Sequence, residues 1–319
     1  MKKIQILVFT IIVLSILIII VYINRVPYKS GIFQKDTFLY SLVDKAQVYL
    51  DSGETADSPS LITVKQIHSG DFKVPLSNAL NLEHPSCTEL EDIEIEVPVF
   101  AYLIHHAKYG YFLIDSGCDS SFVNNSYGSM RGLLVPAFIP KTALKPEDTI
   151  EKELSDVLGD IQGVFFTHLH PDHTSGVSTL PKNRIYVAGK GEESLSIKFL
   201  LEINHFSKDD IVYMLDFNST EAQNHSIGKA IDIFGDNSLL AISTPGHTKG
   251  HVSYLGNTKE GPILIAGDAC ILNESIETGA GPGTSASDSK MAQQTFDKIN
   301  NFLKGNPNVK LFPGHDFPK

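Results

Sequence analysis

The longest apolar run lies at the start of the chain: from Ile4 to Asn24 no residue carries a charge. At about 1.5 Å per residue, a helix of that length matches the roughly 30 Å hydrocarbon layer of a bilayer. The run therefore predicts a single transmembrane anchor over residues 4–24. A cleaved signal peptide competes, but its apolar region is usually shorter, roughly 7 to 15 residues, and Asn24-Arg25-Val26-Pro27-Tyr28 is a poor cleavage site. Lys2 and Lys3 precede the run, whereas Arg25 and Lys29 follow it. That balance points weakly to an inside N-terminus and a catalytic domain outside the cytoplasm, tethered to the cell membrane in a single pass. Residues 25–60 then mix short apolar pieces with the polar stretch Asp51 to Ser60, which has the composition of a linker. A globular domain is expected over 61–319.

Within that domain the apolar positions fall into short β-branched and aromatic runs punctuated by Gly or Pro. Leu61 to Ile67, Glu96 to His105 and Tyr111 to Asp115 open it as strands. Ile150, Leu154 and Leu158 recur every fourth residue and predict a helix over Thr149 to Leu158, stopped by Gly159. Gly163 to Thr167, Arg184 to Ala188, Leu239 to Ser243 and Pro262 to Ala266 read as buried strands. Near the end, Ser287 or Asp288 caps a helix whose apolar face is Ala292, Phe296, Ile299 and Leu303, with Gly305 beyond it. Val309 to Phe312 closes the chain as a strand. Alternating short strands and a few helices imply layered α/β packing. Periodicity alone does not separate a doubly wound sheet from a sandwich flanked by helices.

Composition sets limits on this picture. With 319 residues and 42% apolar content the chain can bury a full core. Its formal charge of −11 offers no clustered Lys and Arg for phosphate, so nucleic acid is excluded as a partner. Cys87, Cys118 and Cys270 have neither zinc-knuckle nor redox-pair spacing and read as free thiols.

The chemistry concentrates in Thr167-His168-Leu169-His170-Pro171-Asp172-His173, where three imidazoles and a carboxylate follow directly on a buried strand. Such crowding is relieved by a cation that prefers neutral imidazole and carboxylate, as zinc does. Extended backbone puts His168 and His170 on one side, within reach of one ion. Asp172 and His173, past the Pro171 bend, can point to a second. Further ligands are available where predicted strands end: Pro245-Gly246-His247, Gly267-Asp268 and Pro313-Gly314-His315. Glycine before each permits a tight turn. Any one of these could be an ordinary surface loop; all three in the same context are hard to explain that way.

In these motifs the chain resembles the metallo-β-lactamase superfamily, whose pattern is HxHxDH followed by separate His, Asp and His ligands, and the resemblance covers about residues 61 to 319. It implies an αββα sandwich binding two Zn2+ or other divalent transition metals. His168, His170 and His247 would hold one ion, Asp172, His173 and His315 the other, and Asp268 would bridge them. Leu113-Ile114-Asp115-Ser116-Gly117 looks like the family's early strand-end motif, in which the aspartate supports the ligands from behind. His251 is expected to pack behind the site rather than ligate. His68, His84, His105, His106, His205 and His225 read as ordinary surface or core residues.

The expected reaction is hydrolysis of an ester-like bond in a small-molecule substrate (lactone, ester or thioester). A metal-activated hydroxide attacks, with Asp172 as proton acceptor and Asp268 holding the metal pair. A phosphodiesterase of the same fold and a catalytically silent tethered binding protein are the alternatives. In layout the chain is most similar to the N-acyl homoserine lactonase group, with the Val97-to-Leu103 opening strand, one Pro-Gly-His motif and Phe-Pro-Gly-His-Asp near the end. That group typically carries a tyrosine three residues after the bridging aspartate, where this chain has Ile271. A proton for the leaving alkoxide would then come from water or elsewhere. Glyoxalase II adds a C-terminal helical region, whereas only Asp316 to Lys319 follow the last ligand here.

Overall fold

The computed structural model describes residues 2–24, 28–46, 62–193, 197 and 200–319. Among these, no helix is long and apolar enough to cross a membrane. The N-terminal helix runs Lys2–Asn24. The expected transmembrane anchor, the membrane partner, the single-pass cell-membrane location and the tethered extracytoplasmic domain are corrected accordingly.

Strands β1 (Lys29–Ile32), β2 (Ile62–Pro75), β3 (Glu94–His106), β4 (Gly110–Ile114), β5 (Thr142–Ala143), β6 (Ile161–Phe165), β7 (Ile185–Gly189) and β8 (Ile211–Leu215) form one half of the structure. Their order is β1-β8-β7-β6-β4-β3-β2, with β5 on β2. The other half holds β9 (Gln223–Asn224), β10 (Lys229–Asp232), β11 (Leu239–Ser243), β12 (Val252–Thr258), β13 (Gly261–Gly267) and β14 (Lys310–Pro313). These lie side by side in sequence order, and the halves are joined by the pairing of Thr258 with Ile62.

The two halves pack face to face. Phe112, Phe165, Val187 and Leu215 from the first meet Ile231, Ala241, Tyr254 and Ile265 from the second in one buried cluster. Each outer face has its own apolar cover. Ile150 and Leu154 press on Leu113 and Val164. Ile299, with Phe302 and Leu303 partly buried, lies over Ile242 and Leu264. The architecture is the α/β sandwich of the metallo-β-lactamase type, with helices outside two β layers.

Most strand expectations hold to within a few residues, and β11 coincides with its predicted range. The late helix is Ser289–Gly305, and the Asp288 side chain accepts from the Met291 N–H at its start. The earlier helix is shorter than predicted: Ile150–Glu153, capped by Thr149, is a single turn. Ile150 and Leu154 are buried, while Ser155 and Asp156, which compete with helical hydrogen bonding, follow at once.

The stretch assigned to a linker contributes structure. β1 pairs in parallel with β8, and helix Lys35–Ala46 places Phe38 and Leu42 in the inter-sheet core. The polar stretch Asp51 to Ser60 lies outside the described residues.

Parallel strands β4, β6 and β7 all run toward one edge, and β11, β13 and β14 also end there. Ligand-bearing loops at the carboxyl ends of strands are where open α/β folds place their sites.

Candidate metal centre

All seven residues singled out in the sequence converge at that edge. His168 and His170 follow β6. Asp172 and His173 lie on the helical turn Pro171–Thr174, which opens at proline. His247 follows β11, Asp268 follows β13 and His315 follows β14. Close backbone approach is built into the loops. At Gly246 φ is +137°, and a Cβ would stand 2.3 Å from the Ala292 nitrogen. A Cβ on Gly314 would stand 2.5 Å from Asp268 Oδ1.

The cluster divides into two groups that could each hold a metal ion: His168, His170, His247 and Asp268, and Asp172, His173 and His315. In the first, His168 Nε2 lies 2.9 Å from His170 Nδ1, and His247 Nε2 lies 3.2 and 3.0 Å from those two atoms. Asp268 Oδ2 stands 3.2 Å from His247 Nε2 and 3.9 Å from His168 Nε2. In the second, Asp172 Oδ2 stands 3.2 Å from His173 Nε2 and 3.3 Å from His315 Nε2. Asp268 Oδ1 lies 3.6 and 3.3 Å from the same two nitrogens.

Ligands at about 2.0–2.1 Å around a tetrahedral zinc would be separated by about 3.3 Å. The distances bracket that value. Buried Asp268 Oδ1 and His173 Nε2 also lack hydrogen-bond partners among the described residues. The donor set, its spacing and these unpartnered atoms all fit a divalent metal.

The nitrogens are aimed by groups behind them. Asp115, buried after β4 with φ +54°, accepts from the Thr167 N–H and hydroxyl at 2.8 Å each. It also takes the His173 Nδ1 proton at 2.8 Å. His315 Nδ1 donates to the Pro98 carbonyl at 2.8 Å. In both rings Nε2 is thereby left for ligation. His251 is fully buried with Nδ1 2.8 Å from Thr244 Oγ1, and its ring centroid lies 5.3 Å from that of His168. It packs behind the site, as expected.

Burial and charge act differently on the two groups. Burial, reinforced by the neighbouring rings, holds His168 well below the usual imidazole range. Burial also holds His247 well below it despite Asp268, and lowers His170. His173 is raised well above that range because Asp172 and Asp115 outweigh burial. His315 is lifted to about 10, as Asp268 and Asp172 outweigh burial there. Against burial, His173 and His315 keep Asp172 well below the carboxylate range. The first group is therefore a nest of neutral nitrogens, while the second holds protons where a cation would sit.

Sequence reasoning missed one buried carboxylate. Glu192, 5% exposed just beyond β7, accepts from the Leu169 N–H at 2.9 Å, from the Gly250 N–H at 3.0 Å and from the Thr248 hydroxyl. Burial raises its pKa while these donors oppose the rise. The sequence offered only a weak signal, an acidic residue three positions past the end of an apolar strand in Gly189-Lys190-Gly191-Glu192. The three cysteines are free and buried.

A cavity of about 410 Å3 opens onto His170, Asp172, His247, Asp268 and His315. Its walls include Phe72, Val97, Phe138, Ile139, Ile203 and Ile271, with no Lys or Arg among the described lining residues.

Comparison with known proteins agrees with this geometry. The family model described as "Metallo-beta-lactamase superfamily" matches residues 95–315, well over half of the chain. An N-acyl homoserine lactonase from Bacillus sp is 26% identical, over 70% of this chain and 82% of that protein. The N-acyl homoserine lactonase AttM of Azorhizobium caulinodans is 27% identical, over 71% and 83%. Among solved structures, an N-acyl homoserine lactone hydrolase has N-hexanoyl-L-homoserine bound at its catalytic metal centre. It superposes with a TM-score of 0.59 at 21% identity, covering 81% of this chain and 94% of that one. The family match, the sandwich and the convergent His and Asp cluster together place this chain in the metallo-β-lactamase superfamily as a metal-dependent hydrolase.

Proposed function

We propose that this hydrolase is dinuclear and opens an ester-like bond, in a lactone, ester or thioester, with His168, His170 and His247 on one ion, Asp172, His173 and His315 on the other, and Asp268 between them. The observation that carries the reading is the division of one carboxylate: Asp268 Oδ2 faces His247 at 3.2 Å and Oδ1 faces His315 at 3.3 Å. Two divalent ions, zinc by the nitrogen and oxygen donor set, would lower the pKa of water at the site and polarise a carbonyl. Asp172, which lines the cavity, would accept a proton from the attacking water. The apolar walls orient the acyl part of the substrate and keep bulk water away from the scissile bond. The described walls, which carry no Lys or Arg, favour a neutral substrate over a phosphodiester, and the lactonase relatives support the same choice. The unit that does this takes in residues 62–319, together with β1 and the Lys35–Ala46 helix.

Elemental analysis of metal-replete protein should give close to two transition-metal ions per chain, and a hydrolysis screen should find turnover among lactones, esters or thioesters. A single firmly bound ion would sink the dinuclear reading. Turnover of phosphodiesters alone would sink the substrate class.

A further inference from the structure

Glu192 joins the two loops that supply the three histidines of the first group. Its Oε2 takes the N–H of Leu169, the residue between His168 and His170. Its Oε1 takes the hydroxyl of Thr248, next to His247, and the N–H of Gly250. The junction is tight: a Cβ on Gly250 would stand 2.7 Å from both the Glu192 nitrogen and the Gly189 oxygen. Tyr28 donates to the Glu192 carbonyl at 3.0 Å and holds the turn from the other side. With the carboxylate gone, two buried backbone donors on different loops would lose their acceptor, each costing more than a hydrogen bond normally contributes.

The second group is oriented by other means. Its rings are aimed by Asp115 and by the Pro98 carbonyl, and no hydrogen bond joins Glu192 to Asp172, His173 or His315 among the described residues.

We propose that Glu192 is the positioning residue of the first half-site, clamping the His168–His170 loop to the His247 loop so that their three nitrogens meet at ligand spacing. It acts through two backbone amides and the Thr248 hydroxyl, and touches neither ion nor substrate. The inference rests on the two-site reading above. Groups behind metal ligands typically change affinity about 10- to 100-fold when altered.

The test is chelator competition on Zn2+-loaded protein, with Co2+ substitution to identify the coordination set that changes. Wild-type protein must first show two ions; one or none would be a failure of the dinuclear reading, not of the clamp. Glu192→Gln turns one acceptor into an amide that meets a donor. It should release one ion at about 10- to 100-fold lower chelator concentration and leave the other unmoved. The Co2+ spectrum should lose the signature of the histidine-rich set. Equal weakening of both ions, no weakening, or loss from the Asp172–His173–His315 set would overturn the proposal. Thr248→Val, which removes one of the three bonds, should show the same selectivity at a few-fold size. It decides the matter by itself if Glu192→Gln does not fold, because unselective or absent loss there also refutes the clamp.

Discussion

Replacing Asp115 by asparagine isolates the orientation of one ring. Asparagine tolerates the positive φ of 54° at this position, so the backbone need not move. The Thr167 N–H lies 2.8 Å from one carboxylate oxygen and can only donate, so the amide oxygen must stay there. The new NH2 then faces His173 Nδ1, now 2.8 Å from the other oxygen. Two outcomes are open to the ring. It can shift its proton to Nε2 and accept from the amide, which removes the nitrogen that points at Asp172 and Asp268. Alternatively it keeps the proton on Nδ1 and sets two donors against each other, at about 1–3 kcal/mol for a buried unmet group. At about 1.4 kcal/mol per tenfold, that cost weakens one ion by roughly 5- to 150-fold. The global fold survives, since domains have about 5–15 kcal/mol in hand. Chelator competition should show one ion released early and the other retained, with Co2+ spectra assigning the lost ion to the Asp172–His173–His315 set. Unchanged affinity for that ion would refute the argument that Asp115 sets the tautomer of His173.

Asp268→Ala should expel an ion and reduce hydrolysis by about 100-fold or more at neutral pH, through loss of several kcal/mol of charge stabilisation. Asp316→Ala removes a carboxylate that takes the Asn273 and Phe317 donors and should leave both ions bound; near-normal turnover by the Asp268 variant would rule out its bridging role. In metal-free protein, His315, lifted to about 10, adds stability that is complete below pH 6.5 and lost as the pH climbs toward that value. His205, lowered to about 4 by burial, adds stability present above pH 6.5 and lost as the pH falls toward that value. Urea titrations should therefore place maximum stability near pH 6.5, whereas a profile still rising at about pH 9 would contradict the protonated state of His315. Ile271 lines the cavity beside Asp268 and has no proton to give, so thioesters and aryl esters should turn over faster than alkyl lactones of the same acyl group. Ile271→Tyr should narrow that gap, and equal rates in the parent protein would show that a proton donor exists elsewhere.

What the sequence disclosed follows from where each kind of information resides. His168, His170, Asp172 and His173 were legible because ligand chemistry is a property of side-chain type and these lie consecutively after one apolar strand. His247, Asp268 and His315 were legible because each follows a strand and a glycine. The β1 strand and the Lys35–Ala46 helix were not, because β1 is four residues long and finds its partner β8 about 180 positions later. The apolar side chains of that region, Phe33, Phe38 and Leu42, gain meaning only from the core they enter. The Ile4 to Asn24 run misled for a related reason: apolarity states what a segment avoids, not what covers it. Glu192 was hidden more deeply than any ligand. Two of its three partners are backbone N–H groups, which nearly every residue owns, at separations of 23 and 58 positions. Residue type can mark a ligand, but an acceptor for backbone amides is defined by its place alone. Sequence patterns therefore expose the atoms that would hold the metals sooner than the hydrogen bonds that aim them, and Asp115 was the exception only because its strand-end motif is itself a pattern.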